Sequence, residues 1–210
     1  MTRRLLEAGS IAAALLLVAA VTADDFADRE EAAEVVADQL LFHMNETLKR
    51  RLEAGSAFEA IDIYTDTAPM IANELSSQTG WRITRVGTRT RNPMRGMPDP
   101  WEQRVLADFA ARGSRGESFL DMTHAEVVDE PAGKYFRFMK AIEVRPECLT
   151  CHGNQGEIPV LIYGVIKNRY PHDQAIDYKA GELRGAVSIK QPMGQGSHFD
   201  DAQSERTALH

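Results

Sequence analysis

The chain contains only two cysteines, and both lie in the segment Cys148-Leu149-Thr150-Cys151-His152. Two cysteines this close together cannot link distant parts of a chain, so no disulfide framework is available to stabilise the fold. A packed apolar core must stabilise it instead. At 210 residues, of which 43% are hydrophobic, the chain is long enough for one domain of ordinary size with such a core.

The N-terminus has the layout of a secretory signal peptide. Arg3 and Arg4 precede an unbroken apolar run from Ile11 to Val21, and small residues end the run at Ala23. The run is about half of the roughly 20 residues that cross a bilayer. We therefore expect residues 1–23 to be cleaved and the protein to be periplasmic or otherwise exported. The alternative is an uncleaved N-terminal anchor, and membrane association is expected only in that case.

The charge balance argues against one class of function. Asp and Glu number 31, and Lys and Arg number 24, which gives a formal net charge of −7. Nucleic-acid-binding proteins normally present a basic surface. We therefore expect no nucleic-acid partner.

Helical patterns dominate the first half of the mature chain. Between Glu30 and Glu53, apolar residues recur at three- and four-residue spacing, as on one face of an amphipathic helix. Ser56-Ala57-Phe58-Glu59 is a capping box that begins a second helix, and a short helix is expected from Pro69 to Leu75. Asp99-Pro100 begins a further helix that ends towards Gly113.

Strand patterns dominate the second half and define the domain. Four segments have the alternation or the composition of strands: Trp81–Val86, Ser118–Val128, Lys134–Val144 and Leu183–Lys190. A turn at Asp129–Gly133 joins the middle pair, and the apolar run Pro159–Ile166 fits either helix or strand. This order predicts an α+β fold with an antiparallel sheet. Residues 24–193 form the predicted domain, and residues 194–210 a disordered tail.

The cysteine segment carries the most specific chemical signal. Cys-x-x-Cys-His is the covalent attachment motif for c-type haem. Two thiols about one helical turn apart can each add to one vinyl group of the porphyrin, and the adjacent imidazole can then bind the iron from the same side. The motif predicts one covalent haem c, attached at Cys148 and Cys151, with His152 as the proximal ligand of the iron.

Three other interpretations of the two cysteines stay open. A thioredoxin-type redox dithiol uses the same spacing, but the chain lacks the parallel βαβ pattern in which that site normally lies. A zinc site would need a fourth ligand, for which His172 is the nearest histidine. A structural disulfide across so short a loop would remove little chain entropy.

Four elements, in order along the chain, resemble the motifs of one known family, the secreted c-type haem proteins with a PAS-like fold. They are Arg91-Asn92-Pro93, the segment Pro98-Asp99-Pro100-Trp101-Glu102, the segment Cys148–Gly153, and a closing motif that runs from Tyr170-Pro171 to Gly185-Ala186. The similarity extends from about Glu31 to Pro192. It implies a PAS-like antiparallel sheet with long N-terminal helices packed on it, haem held against the sheet, and a role as a sensor input or redox protein.

The chain departs from that resemblance on the distal side of the haem. Some members of the family bind the iron there with a cysteine, and Tyr64 stands at the corresponding place in this sequence. Tyr64 is expected to line the distal side, either as a phenolate ligand or as part of the pocket wall. The other candidates for a distal ligand are Met70, Met94, Met97 and His43, and the site could also be open.

Haem propionates need cationic or amide partners, and one stretch of this acidic chain offers them. The arginines in it are Arg82, Arg85, Arg89 and Arg91. Of these four, Arg91 is the one that we expect to contact the cofactor. A solvated strand face is the alternative explanation of the run.

Two functions are consistent with a haem in such a domain. The first is sensing, in which the haem changes oxidation state or binds a diatomic gas and a partner protein reads the change. The second is electron transfer, which needs six-coordinate iron and a redox partner protein. A peroxidase would need a distal acid–base residue, and the sequence shows no convincing distal His–Arg pair. We therefore expect binding or electron transfer rather than an enzyme.

Overall fold

The computed structural model describes the backbone of residues 7–53 and 69–193 and, within these ranges, the side chains of residues 25–50, 53 and 69–193. Three predictions lie outside the described residues: the position of Tyr64, the helix expected from the capping box at Ser56, and the tail 194–210. Cleavage after Ala23 stays a prediction. Among the described residues, no helix is both long enough and apolar enough to cross a membrane.

Six helical segments are described. They are α1 (Glu7–Glu53), α2 (residues 69–79), α3 (Pro93–Gly96), α4 (Pro100–Ser114), α5 (Leu149–His152) and α6 (Val160–Arg169). The amphipathic pattern from Glu30 to Glu53 is confirmed as part of α1. The run Pro159–Ile166, for which the pattern fitted either structure, is helical and belongs to α6.

Local capping explains where the shorter helices begin and end. Asp99 caps α4 as predicted, with Glu102 completing a reciprocal capping box. The helix predicted from Pro69 to Leu75 extends to residue 79, where Gly80 ends it with a φ of +69°. The connection from Gly87 to Pro100 contains the single turn α3, which Asn92 begins by accepting the N–H of Met94.

The sheet confirms the predicted α+β class and is antiparallel throughout. Its strands are β1 (Arg82–Gly87), β2 (Thr123–Glu130), β3 (Gly133–Glu143) and β4 (Leu183–Met193), in the spatial order β1-β4-β3-β2. The turn expected at Asp129–Gly133 is shorter than predicted, because Glu130 already pairs with Gly133. The start predicted for the second strand, Ser118, was wrong. The strand begins at Thr123, because residues 119–122 form a turn in which Met122 donates its N–H to the carbonyl oxygen of Phe119.

Helices cover both faces of the sheet. On one face, α1 and α2 bury apolar side chains against β1, β3 and β4, including Leu40, Met44, Ile83, Phe138 and Ile189. On the other face, α4 packs Trp101, Val105 and Phe109 against Met139 and Ala186. Successive strand residues point to opposite faces, so each central strand supplies both cores.

The ends of β1 and β4 approach very closely. Gly185 has a φ of +156°, and a Cβ at that position would collide with the carbonyl oxygen of Val86. The β3–β4 ladder also shifts register between Ile142 and Glu143, opposite this point. This irregularity lies where the chain leaves the sheet towards the cysteine segment.

Candidate functional site

The cysteine segment follows β3 and forms two consecutive helical turns. A 3₁₀ turn spans Pro146–Cys148, and α5 continues from Leu149 to His152. Gly153 ends α5 by donating its N–H to the carbonyl oxygen of Leu149 at 2.8 Å. A Cβ at Gly153 would lie 2.6 Å from that same oxygen, so a glycine is needed directly after the motif. Both cysteine side chains are free thiols and half-buried.

The imidazole of His152 is held in one orientation. Its Nδ1 lies 2.6 Å from the carbonyl oxygen of Ala175, and its ring packs edge-on against Tyr178. A carbonyl oxygen only accepts, so Nδ1 carries the proton and Nε2 keeps the lone pair with which imidazole binds a metal. The backbone N–H of Tyr178 donates to the carbonyl oxygen of His152 at 2.9 Å, which fixes the end of α5 as well.

The surroundings of His152 favour its neutral form. Burial lowers the pKa of His152 well below its ordinary value, and the positive charges of Arg91 and Arg184 lower it further. The hydrogen bond to Ala175 opposes this shift but does not cancel it. Neutral imidazole is the form that binds metals, so at neutral pH His152 is in a form that could bind one.

Arg91 joins the cysteine segment to the loop that carries Ala175. Its Nη2 donates to the carbonyl oxygen of Cys151 and, at 3.2 Å, to that of Ala175. Its Nε lies 3.2 Å from the carboxylate of Asp173, whose side chain is almost completely buried. Asp173 also accepts the N–H of Ala175 at 2.8 Å. The guanidinium of Arg91 is therefore directed at the backbone behind the motif.

A large cleft lies in front of the motif. Its volume is about 1320 Å³, and Cys148, Cys151 and His152 all line it. The opposite wall comes from α1 and α2, through apolar side chains that include Leu41, Met44 and Leu48. The cleft thus lies on the α1 face of the sheet, with the two thiols and the imidazole on one side.

The charged lining of the cleft is mainly basic. Its arginines are Arg82, Arg85, Arg91, Arg95, Arg145, Arg169 and Arg184, whereas its carboxylates are Asp38, Glu46, Glu143 and Glu147. Burial lowers the pKa of Arg184 to about 10, and the charges of Arg85 and Arg91 add to this effect, while Tyr178 opposes it. A chain with a net charge of −7 therefore gathers positive charge at this one place.

The structure separates the predicted propionate arginines. Arg82, Arg85 and Arg91 line the cleft. The guanidinium of Arg89 instead lies over the ring of Tyr178, 3.6 Å from its centroid.

The candidates for a distal ligand are also separated. Met94 lines the cleft and is 92% exposed, which places it at the rim. Met97 lines a separate, smaller cavity. Met70 and His43 are exposed, and neither belongs to the described residues that line the cleft.

Two cleft residues of α1 were missed as candidates. Met44 and Asn45 line the cleft, although the sequence pattern placed Met44 only on the apolar stripe of the helix and gave no signal for Asn45. Helical periodicity identifies the buried face of α1 but not which of its residues line the cleft.

The other interpretations of the cysteines find little support. Burial raises the pKa of both thiols, whereas a redox dithiol needs a lowered pKa. Within the described part of the chain, no three His, Cys, Asp or Glu side chains come together as a metal-binding group. Zinc would have needed such a group.

A porphyrin fits the residues that are present. The cleft is wide, its α1 wall includes the apolar side chains of Leu41, Met44 and Leu48, its other wall carries two thiols and an oriented imidazole, and its arginines could pair with the carboxylates of a porphyrin. A small metal ion alone would not require a cleft of this size.

The fold and the site together define an α+β protein of the PAS-like class with a Cys-x-x-Cys-His cleft. The chain belongs to the Tll0287-like family, whose sequence profile matches residues 12–192. It is similar in fold to the crystal structure of the cyanobacterial heme-protein Tll0287, with 21% sequence identity and a TM-score of 0.56. The similarity covers 80% of this chain and 98% of that one. No curated protein matches the chain.

Proposed function

We propose that this protein is an exported, c-type cytochrome-like protein that binds one haem covalently and acts in redox or diatomic-gas sensing. One observation carries the proposal: the Cys-x-x-Cys-His segment lies on the wall of a large cleft, with the imidazole of His152 fixed by the carbonyl of Ala175. The name of the structural neighbour, a heme-protein, supports the same cofactor. Export is proposed from the N-terminal arginines and apolar run.

Each residue of the motif has a defined task in this proposal. Cys148 and Cys151 would hold the haem, each by adding its thiol across one vinyl group, with the C–S bond at one vinyl carbon and the thiol hydrogen on the other. His152 presents Nε2 to the iron, while Ala175 holds the proton on Nδ1. When bound, haem supplies an iron that changes oxidation state or coordinates a small ligand.

The other residues that line the cleft would contact the porphyrin and limit which small molecules reach the iron. Leu41, Met44 and Leu48 exclude water from one side. Arg82 and Arg85 offer positive charge to the propionates. Tyr64 is proposed to line the distal side, and the iron position that it leaves open would take the gas. A sensor of this kind passes its change to a partner protein.

Electron transfer is the second candidate function, and the position of Met94 favours it. Met94 lines the cleft from a loop, and a thioether on the distal side would complete six-coordinate iron and raise its reduction potential. In that case the partner is a redox protein, and gas has no place to bind.

Absorption spectroscopy of the exported, haem-loaded protein tests both proposals. Covalent attachment predicts that the colour stays with the protein after acid–acetone extraction, and loss of the colour would overturn the proposed cofactor. Binding of CO or NO by the reduced protein would support sensing. A six-coordinate spectrum that neither gas alters would support electron transfer, and replacing Met94 by Ala should then open the iron to CO.

A further inference from the structure

Arg91 lies beside Nδ1 of His152, the ring nitrogen opposite the one that could bind a metal in the cleft. Its Nη2 lies 3.2 Å from Nδ1 of His152 and 3.2 Å from the carbonyl oxygen of Ala175. The same nitrogen donates to the carbonyl oxygen of Cys151. Only 17% of the Arg91 side chain is exposed, so solvent screens this charge weakly.

His152 and Arg91 share one acceptor. Nδ1 of His152 and Nη2 of Arg91 both donate to the carbonyl oxygen of Ala175. A carbonyl that also bonds a cation accepts less strongly from the imidazole, because the cation withdraws its electron density. The imidazole then keeps its Nδ1 proton more firmly and donates less electron density through Nε2.

Asp173 contacts both Arg91 and the backbone of Ala175. Its carboxylate lies 3.2 Å from Nε of Arg91 and accepts the N–H of Ala175 at 2.8 Å. Only 1% of the Asp173 side chain is exposed. Asp173 therefore orients both the guanidinium of Arg91 and the carbonyl of Ala175. A shift of either group would change the hydrogen bond that His152 donates to that carbonyl.

We propose that Arg91, held by Asp173, is a positioning residue that weakens electron donation from His152 and so raises the reduction potential of the iron. This inference rests on the proposed function, because it requires His152 to be the iron ligand. The couple concerned transfers one electron from an external reductant to ferric iron, and Arg91 shifts its equilibrium without taking part in the transfer. The role differs from the propionate contact expected from sequence.

Potentiometric titration of the haem-loaded protein measures the effect. In Arg91→Gln, the ferric-to-ferrous ratio at a fixed ambient potential should rise about tenfold, equivalent to about 59 mV for one electron. Arg95→Gln is the matched control, since it removes one positive charge from the cleft wall without contacting His152, and its shift should be clearly smaller. Arg91→Lys keeps the charge and should recover most of the potential.

A second measurement separates this role from a purely structural one. The ¹⁵N–¹H signal of the His152 Nδ1 proton, in reduced protein labelled at histidine, should move towards stronger hydrogen bonding in Arg91→Gln and stay in place in Arg95→Gln. Should Arg91→Gln not fold, Asp173→Asn is measured instead: its side-chain oxygen can still accept from Arg91 and from the N–H of Ala175, so the guanidinium stays in place, but its counter-charge is gone and the potential should rise.

The outcomes distinguish failure of the inference from failure of the proposed function. Equal potentials in Arg91→Gln and Arg95→Gln, with an unchanged Nδ1 signal, would overturn the role of Arg91 while covalent haem remained. If Arg91→Gln does not fold, an unchanged or lowered potential in Asp173→Asn would overturn it as well. Wild-type protein that carries no extraction-resistant haem would instead overturn the proposed function itself.

Discussion

Nδ1 of His152 lies 2.6 Å from the carbonyl oxygen of Ala175, a residue 23 positions further along the chain. This contact joins the end of α5 to the loop that leads into β4. The backbone of the same two segments is also paired, since Tyr178 donates to the carbonyl of His152 and Asp177 to that of Gly153. The orientation of the His152 imidazole is therefore set by contacts within the fold and does not require a bound cofactor.

Replacing His152 by Ala should change the coordination of the iron while leaving the two cysteines in place. We expect the reduced absorption spectrum to lose its wild-type form, and added imidazole to restore it in part, because the ligand position is then open. His172→Ala is the matched control, since His172 is exposed and lines the smaller cavity outside the main cleft. Identical spectra for His152→Ala and wild type would contradict His152 as the ligand.

The thiols of haem-free protein should react slowly at neutral pH. Burial raises the pKa of both Cys148 and Cys151, so the reactive thiolate becomes the main form only at a pH above that of an ordinary thiol, about 8.5. Alkylation rates measured from pH 6 to pH 10 should therefore rise later than those of a short cysteine peptide. An earlier rise than that of the peptide would revive the redox-dithiol interpretation.

The sequence indicated which motif residues lie together on the cleft wall, but not which residues support them. Cys148, Cys151 and His152 are local in sequence, and their spacing alone indicated their chemistry. Arg91 and Asp173 lie in separate motifs of the resemblance, and nothing in either motif indicates that they form an ion pair behind His152. Only the antiparallel pairing of β1, β3 and β4 brings those loops together.

The fold was predicted where local signals are strong. Asp99-Pro100 and the stripe of α1 placed their helices correctly, because capping and helical periodicity act over a few residues. The strand expected from Ser118 began too early, since its boundary depends on pairing with β3. The secondary structure of the run Pro159–Ile166 could not be predicted, because a short apolar segment fits either a buried helix or a strand.

Gly185→Ala should destabilise the protein. The residue has a φ of +156°, and a Cβ there would collide with the Val86 carbonyl, so we expect a loss of about 1–3 kcal/mol in the free energy of unfolding. Gly164→Ala is the control, because a Cβ at this helical position in α6 meets nothing within 4 Å. That variant should gain about 0.5–1 kcal/mol. Urea denaturation measures both, and equal midpoints would refute the argument.

Asp99 should contribute stability that depends on pH. Burial raises its pKa, but hydrogen bonds from Arg137 and from the N–H of Glu102 lower it more, so the net pKa lies below the ordinary value. A carboxyl with a lowered folded pKa stabilises the fold fully above its unfolded pKa of about 3.9 and loses that contribution as pH falls through the folded value. The stabilising contact is with Arg137, whose Nη2 lies 2.7 Å from the Asp99 carboxylate and whose side chain is almost fully buried.

Asp99→Asn isolates this charge, because asparagine can still cap α4. We expect the variant to be less stable than wild type by about 1 kcal/mol at pH 7, a modest value since the Asp99 side chain is 36% exposed. The difference should shrink as the pH falls below about 4 and vanish below the lowered folded pKa of Asp99, where the wild-type carboxyl is protonated too. Asp129→Asn, at a side chain 84% exposed, should show no comparable dependence. A constant difference between Asp99→Asn and wild type from pH 7 to pH 2 would mean that the charge of Asp99 does not stabilise the fold.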